Sequence, residues 1–297
     1  MNRRALLGVI ILAIYSISGS PLSVCYDASG SEAGTAYNAA GSVVFVAEKL
    51  PIPSGDLTAS SSVLLPDIYE QGKGFTCTGL AHDSATDTFL VGDIGKLLPG
   101  SGTIKSQIVR LSSDFTSIEE TIPLYSTFPG MSDVQGVTID TSDGSIWFCS
   151  PSENLIRHIT ADGVNMGSVA ISEPTGIAYS AADDSLWVLN YSNKIIHIDK
   201  SGASFGSYMF AYSETLDQCF LDETNGLLYI TAGTNYTGRN NVYVFDLETH
   251  EQSIACTVNS YSVEGIWIGP DRMVIVNDGY YHSAVISVNQ ADIYDLS

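Results

Sequence analysis

Of the chain's 297 residues, 33 are acidic, only 12 are basic and 44% are hydrophobic, so the formal charge is −21. That apolar content excludes a disordered chain, which could not bury enough surface to offset its conformational entropy. A negative field of this size repels phosphate backbones and excludes nucleic acid as a natural partner.

Asn2-Arg3-Arg4 opens the chain with positive charge, and Ala5 to Tyr15 is an almost unbroken apolar run. Such a core fits a secretory signal peptide and is too short to span a bilayer comfortably. The expected organisation is a leader at 1–24, an N-terminal segment at 25–61 and one repeat domain at 62–297. Loss of Arg3 and Arg4 with the leader would take the charge from −21 to −23. No later segment is apolar enough to cross a membrane, so an extracytoplasmic monomer is expected, whether secreted, periplasmic or cell-surface. Cys25 follows Leu22-Ser23-Val24, a degraded lipoprotein box, which leaves a lipid anchor open. Export would permit disulfides among Cys77, Cys149, Cys219 and Cys256. Their placement in apolar strands favours small buried hydrophobes instead.

Next comes a strand at 41–49, carried by Val43-Val44-Phe45-Val46, and another at 62–68. Five repeats follow, opened by Thr78-Gly79, Gln135-Gly136, Thr175-Gly176, Asp217-Gln218 and Glu264-Gly265. The second position of each pair recurs in steps of 57, 40, 42 and 47 residues, near the span of about 40–50 residues that marks a propeller blade. In each repeat a short apolar strand leads to a turn rich in Asp, Asn, Gly and Ser, then to a strand ending in large apolar residues such as Trp147-Phe148, Trp187-Val188 and Tyr229-Ile230. That is a β-hairpin signature. A third strand follows at 107–111, 155–159, 194–198 and 241–247, and turns such as Asp162-Gly163 and Ser201-Gly202 lead to a fourth. The extra length of the first repeat falls in a Gly/Ser-rich loop at 96–103.

The fold class is therefore all-β, a propeller of about five four-stranded blades. The last repeat has room for three strands only, so the segment at 62–68 is expected to complete it and close the ring. Closure removes the sheet edges that would otherwise aggregate. The alternative is a sixth, divergent blade built from residues 36–75.

The repeat pattern, glycine-led strand to Trp/Tyr-bearing strand to Gly turn, resembles NHL-type propellers, including the SdiA-regulated exported propellers and the gluconolactonase-type lactonases. The gluconolactonase resemblance implies a Glu before a blade-opening Gly, an Asn and an Asp around a divalent metal that polarises a lactone carbonyl. Glu264-Gly265 has the form of that element but lies in the last repeat, and Thr175 and Asn190 depart from the family's pattern.

Acidic turn clusters at Asp83/Asp87, Asp140/Asp143, Asp183/Asp184, Asp222/Asn225 and Asp271 recur at one repeat position, which points to turn chemistry before calcium. The residues opening the repeats, Thr78, Gln135, Thr175, Asp217 and Glu264, should ring one mouth of the central channel. Asp93, Ser150, Asn190, Gly233 and Asn277-Asp278 should lie on the same face. Oxygens of Asn190, Asp217, Glu264 and Asn277 could hold a divalent cation such as calcium. Glu264 and Asp217 are then the candidate catalytic carboxylates. Ligand-binding candidates are Thr78, Gln135 and Thr175 with Tyr191, Tyr236, Tyr280, Tyr281 and His282, because aromatic rings beside polar groups suit a sugar. The sequence thus supports a binding propeller for a small molecule, glycan or protein, with a metal-dependent hydrolase or lyase as the alternative.

Overall fold

The computed structural model describes residues 52–66, 77–94, 106–232, 238–277 and 289–296, with the backbone of short strands nearer the N-terminus. The chain divides into two compact units, 1–51 and 52–297. In the first, β1 (Ile10–Tyr15), β2 (Pro21–Tyr26) and β3 (Glu32–Ala33) form one small sheet, and β4 (Thr35–Tyr37) pairs with β5 (Val43–Phe45).

The second unit is a five-bladed propeller of antiparallel four-stranded sheets. Blade 1 holds β8 (Cys77–Asp83), β9 (Thr88–Asp93), β10 (Gln107–Ser112) and β11 (Ile118–Pro123). Blade 2 holds β12 (Val137–Ile139), β13 (Ile146–Ser150), β14 (Leu155–Ile159) and β15 (Asn165–Ala170). Blade 3 holds β16 (Pro174–Ser180), β17 (Ser185–Asn190), β18 (Lys194–Asp199) and β19 (Ser204–Met209). Blade 4 holds β20 (Cys219–Asp222), β21 (Leu227–Thr231), β22 (Asn240–Asp246) and β23 (Gln252–Val258). A short strand, β6 (Asp56–Leu57), adds to it in parallel. Blade 5 holds β24 (Val263–Ile268), β25 (Arg272–Asn277) and β26 (Gln290–Asp295), completed by β7 (Ser61–Leu64) from the other end of the chain.

The expected closure thus occurs, through 61–64, in the register Gln290↔Leu64 to Ile293↔Ser61. The sixth-blade alternative does not: β6 and β7 are taken up by blades 4 and 5. The clasp is fixed by Asp292, which is 2% exposed. Its Oδ1 accepts from Ser62 Oγ at 2.5 Å and Gln290 Nε2 at 2.8 Å, and its Oδ2 from Ser260 Oγ at 2.6 Å and Asn277 Nδ2 at 2.9 Å. One buried carboxylate therefore holds the N-terminal strand, two strands of its blade and the connection from blade 4.

Second strands are buried on both faces because each lies between two neighbouring blades; every residue of β13 and β17 is buried. Outer strands alternate exposed and half-buried residues, as in β15 and β19. The recurring acidic residues make turns, as their position implied. Asp83 Oδ1 accepts from Ala85 N–H at 3.0 Å, Asp140 Oδ1 from Ser142 N–H at 3.0 Å, and Asp143 Oδ1 from Ser145 N–H at 2.9 Å. Asp87 and Asp184 take left-handed backbone, at φ 53° and 56°. Cys77, Cys149, Cys219 and Cys256 are buried free thiols, so they pack as small hydrophobes.

Blades 2 and 3 repeat one further device. Trp147 stacks on His158 across β13 and β14, with centroids 3.9 Å apart and planes 7° from parallel, and Trp187 stacks on His197 at 4.1 Å and 6°. Each histidine's Nε2 lies 2.7 Å from a serine hydroxyl, Ser145 or Ser185. Lys200 of blade 3 reaches back to the fully buried carboxylate of Asp140 in blade 2 at 2.5 Å, and also pairs with Asp184.

Replacing Asp292 by alanine should cost about 2–3 kcal/mol, since it strips a buried charged acceptor from several donors, and lower Tm by roughly 5–10 °C in a domain of this size. Differential scanning calorimetry checks it. The histidine pairs give a pH effect. Burial lowers the pKa of both His158 and His197 from the ordinary 6.5, outweighing their acidic neighbours. The folded chain therefore binds these protons less readily than the unfolded one. Their stabilisation is complete above pH 6.5 and drains away as pH falls through the lowered values. A double H158Q/H197Q variant should show a flatter Tm between pH 7 and pH 5 than the wild type.

Candidate functional site: a sealed axis with an acidic mouth

First strands of the five blades run side by side along the axis, and the glycines that open four of them allow that approach. A Cβ on Gly136 would stand 2.6 Å from the Thr175 carbonyl oxygen, and one on Gly176 2.6 Å from that of Asp217. One on Gly265 would stand 2.7 Å from the Gly79 carbonyl carbon. These are main-chain contacts between successive blades, so no side chain could yield.

Blade 4 breaks the pattern with Gln218, 1% exposed. Its Oε1 accepts from Ile177 N–H of blade 3 at 3.0 Å and from Cys219 N–H at 2.9 Å. The same oxygen lies 2.9 Å from the Cβ position of Gly136 in blade 2, while Nε2 lies 2.7 Å from that of Gly79 in blade 1. Blades 1 and 4 are not neighbours in a five-membered ring. The side chain therefore crosses the axis and seals it, occupying the space that the missing Cβ atoms leave. The propeller has two separate mouths instead of a through-channel.

The upper mouth carries the starts of the first strands and the ends of the second. Here the sequence-predicted residues divide. Thr78, Gln135 and Thr175 ring the axis but are buried. The Thr78 hydroxyl donates to the Val134 carbonyl at 2.7 Å, and Thr175 Oγ1 has no hydrogen-bond partner among the described residues. Asn190 uses both ends of its amide within its own blade, donating to the Ser172 carbonyl and accepting from Lys194 N–H. Asn277 donates to Ser260 Oγ and Asp292. Glu264 is buried beside Ser262, whose hydroxyl donates to Oε1 at 3.2 Å. Among the described residues no group of three His, Cys, Asp or Glu side chains is close enough to hold a metal ion. Tyr236, Tyr280, Tyr281, His282, Gly233 and Asp278 lie outside the described residues.

Three of the sequence candidates are coupled by charge. Burial raises the pKa of the Tyr191 phenol, and the charges of Asp217, Glu264 and Asp133 push it the same way. Tyr191, on the loop after β17, thus lies in the negative field of carboxylates of blades 4 and 5 and of the strand-opening segment of blade 2. It keeps its proton at neutral pH and can donate it in a hydrogen bond. Asp133 is held in place by Ser150 Oγ at 3.2 Å and by the hydroxyl and N–H of Ser152. Sequence reasoning missed Asp133, which lies two residues before the aligned repeat and carries no motif. It also missed the plug, although Gln218 is visible as the only non-glycine at the marker position.

No protein-family model and no curated protein matches the sequence. Solved structures do resemble its fold. A glutaminyl cyclase from Myxococcus xanthus aligns over 83% of this chain and 99% of its own, at 12% identity and a TM-score of 0.53. A luciferin-regenerating enzyme aligns over 80% and 96%, at 16% identity and 0.50. A nidogen–laminin complex aligns over 68% and 72%, at 13% identity and 0.51. Two are enzymes and one is a protein–protein complex, so the likeness is one of propeller architecture and not of activity.

The plug yields a test with a distinctive pH signature. Gln218→Glu keeps the oxygen that accepts from Ile177 and Cys219, but at neutral pH it buries a charge, and burial raises a carboxyl pKa. Below pH 4.5 the variant should match the wild type in chemical denaturation. Its deficit should open as pH rises towards 7 and reach about 2–4 kcal/mol.

Proposed function

We propose that this chain is an exported, non-catalytic binding propeller that presents its upper mouth to a glycan. The observation that carries the reading is the exposed Tyr191 ring, in the negative field of Asp133, Asp217 and Glu264, at the end of an axis filled by Gln218. A half-exposed phenol ring offers an apolar face on which a sugar can stack, and its hydroxyl donates. The half-buried carboxylates of Asp133 and Asp217 on the same face would accept hydrogen bonds from sugar hydroxyls, and such charge-assisted bonds are the stronger kind. The acidity of the whole chain also disfavours anionic ligands at this face.

Catalysis through a divalent cation fits less well. Of its four candidate oxygen donors, Asn190 Oδ1 is taken by the Lys194 N–H, and Asn277 Oδ1 is buried beside an amide nitrogen tied to Ser260 and Asp292. The repeat's resemblance to NHL-type exported propellers is compatible with either reading.

A glycan array screen with the purified domain is the direct test, followed by titration of the best binder. Tyr191→Ala should weaken that glycan at least about tenfold, since one stacked aromatic contact and one hydrogen bond together contribute about 1.5–2 kcal/mol, while Tm stays within 2 °C of wild type. Elemental analysis decides the competing case. One tightly held divalent ion per chain, with a Tm lowered by EDTA and an ion lost in Glu264→Gln, would replace the glycan-binding reading with that of a metal-dependent hydrolase.

A further inference from the structure

At the lower mouth, where the first strands end, lies a pocket of about 210 Å³ that the glycan reading does not use. Its floor is the sealed axis, formed by Val137, Ile177 and Cys219. Its walls are not those of a uniform repeat. The position two residues after the marker is Ala81 in blade 1, Thr138 in blade 2, Ala178 in blade 3, Phe220 in blade 4 and Trp267 in blade 5. The pairings Ala81↔Leu90, Thr138↔Trp147, Ala178↔Trp187, Phe220↔Tyr229 and Trp267↔Val274 put all five at the same level of their sheets. Blades 4 and 5 therefore bring large rings to this level where blades 1 and 3 bring methyl groups, and the space lies among them.

Polar groups here are few and fixed. The Thr138 hydroxyl accepts from Tyr179 N–H at 3.1 Å and so retains its own proton to donate. His82 is turned towards Asp87, 3.0 Å away. The one carboxylate lining the pocket is Glu223, held at the rim because its Oε1 accepts from Ala182 N–H of blade 3 at 3.1 Å. Its Oε2 has no partner among the described residues. The hairpin turns that end at this face carry Asp83, Asp87, Asp140, Asp143, Asp183 and Asp222, so the surrounding potential draws cations inwards.

The geometry points to a second binding site at this mouth, for a small organic amine with an apolar body. Apolar and aromatic walls with one placed charged group are the usual make-up of a small-molecule pocket. The volume admits a single ring and a short chain. Glu223 Oε2 would take the ammonium, and the wall of Phe220 and Trp267 would take the body. A sugar is disfavoured, because there are too few polar groups to satisfy several hydroxyls. The site is independent of the upper mouth, since Gln218 lies between them.

Calorimetric titration with phenethylamine, set against its neutral isostere 2-phenylethanol, tests the site. Saturable binding of the amine, at least about tenfold tighter than the alcohol, is expected for a charge-assisted contact of about 1.5 kcal/mol. Glu223→Gln, an exposed change that leaves the fold alone, should erase that preference. Ala178→Leu, with its Tm checked against wild type, should abolish binding by filling the cavity. Tyr191→Ala should leave the amine's affinity unchanged. The site is overturned if no saturable heat appears, if alcohol and amine bind alike, or if affinity follows Tyr191 instead of Glu223.

Discussion

Everything in this propeller follows from how closely five first strands can approach one axis. Interblade separations near 2.6 Å at the positions of absent Cβ atoms leave no room for any residue but glycine at four of the five openings. The fifth opening then has the opposite task. Near the axis the Ile177 and Cys219 N–H groups, from adjoining blades, both turn to one acceptor. Gln218 supplies that acceptor and fills the remaining space with one side chain. The four glycines and the glutamine form one device, and neither part is interpretable without the other.

Once the axis is sealed, the ring must still be held together at its periphery, and here the chain's acidity finds most of its use. A carboxylate in a hairpin turn accepts from its own backbone and holds the tight geometry that joins first and second strands. Asp83, Asp140 and Asp143 do this in successive blades. Asp140 also receives Lys200 from the next blade, so a local turn device becomes an interblade tie. Asp292 serves the same purpose at the closure, where its four donors come from both ends of the chain. Among the described residues, part of the chain's acidity therefore has separate structural uses in turns, interblade ties and the closure.

That division explains what could be read from the sequence. The marker steps of 40 to 57 residues made the fold legible, as did the missing fourth strand of the last repeat, which only a strand near residue 62 could supply. Turn acids were legible because they recur. The sites were much less so. Glu264 and Asp217 stood out by their place in the repeat, but of the asparagines chosen on the same ground Asn190 ties a loop of its own blade and Asn277 spends its amide nitrogen on Ser260 and Asp292. Whether a polar residue at a strand end faces the axis or ties a loop depends on partners such as Ser172 or Asp292, and no periodicity encodes them. Asp133 was invisible because it ties a loop of its own blade through Ser152 from outside the repeat, and Glu223 because it acts across a blade boundary on Ala182.

In a repeat protein, the informative positions are those where the repeat is broken. Gln218 breaks it for a structural need, since it completes the axis. Phe220 and Trp267 break it differently, packing against interblade cores while also lining the lower mouth. Ala81 and Ala178 show that this level of the sheet tolerates a methyl group, and in blades 2 and 3 Trp147 and Trp187, paired with Thr138 and Ala178, fill the interblade core from the second strands. Large rings on blades 4 and 5 opposite small side chains on blades 1 and 3 therefore shape a cavity instead of closing one. Phe89 and His82 steady the Trp267 ring, with centroids 5.1 and 4.8 Å away, so the wall is rigid before anything binds. A wall fixed in advance loses little entropy on contact, which is the condition under which a pocket of this size can hold a small ligand.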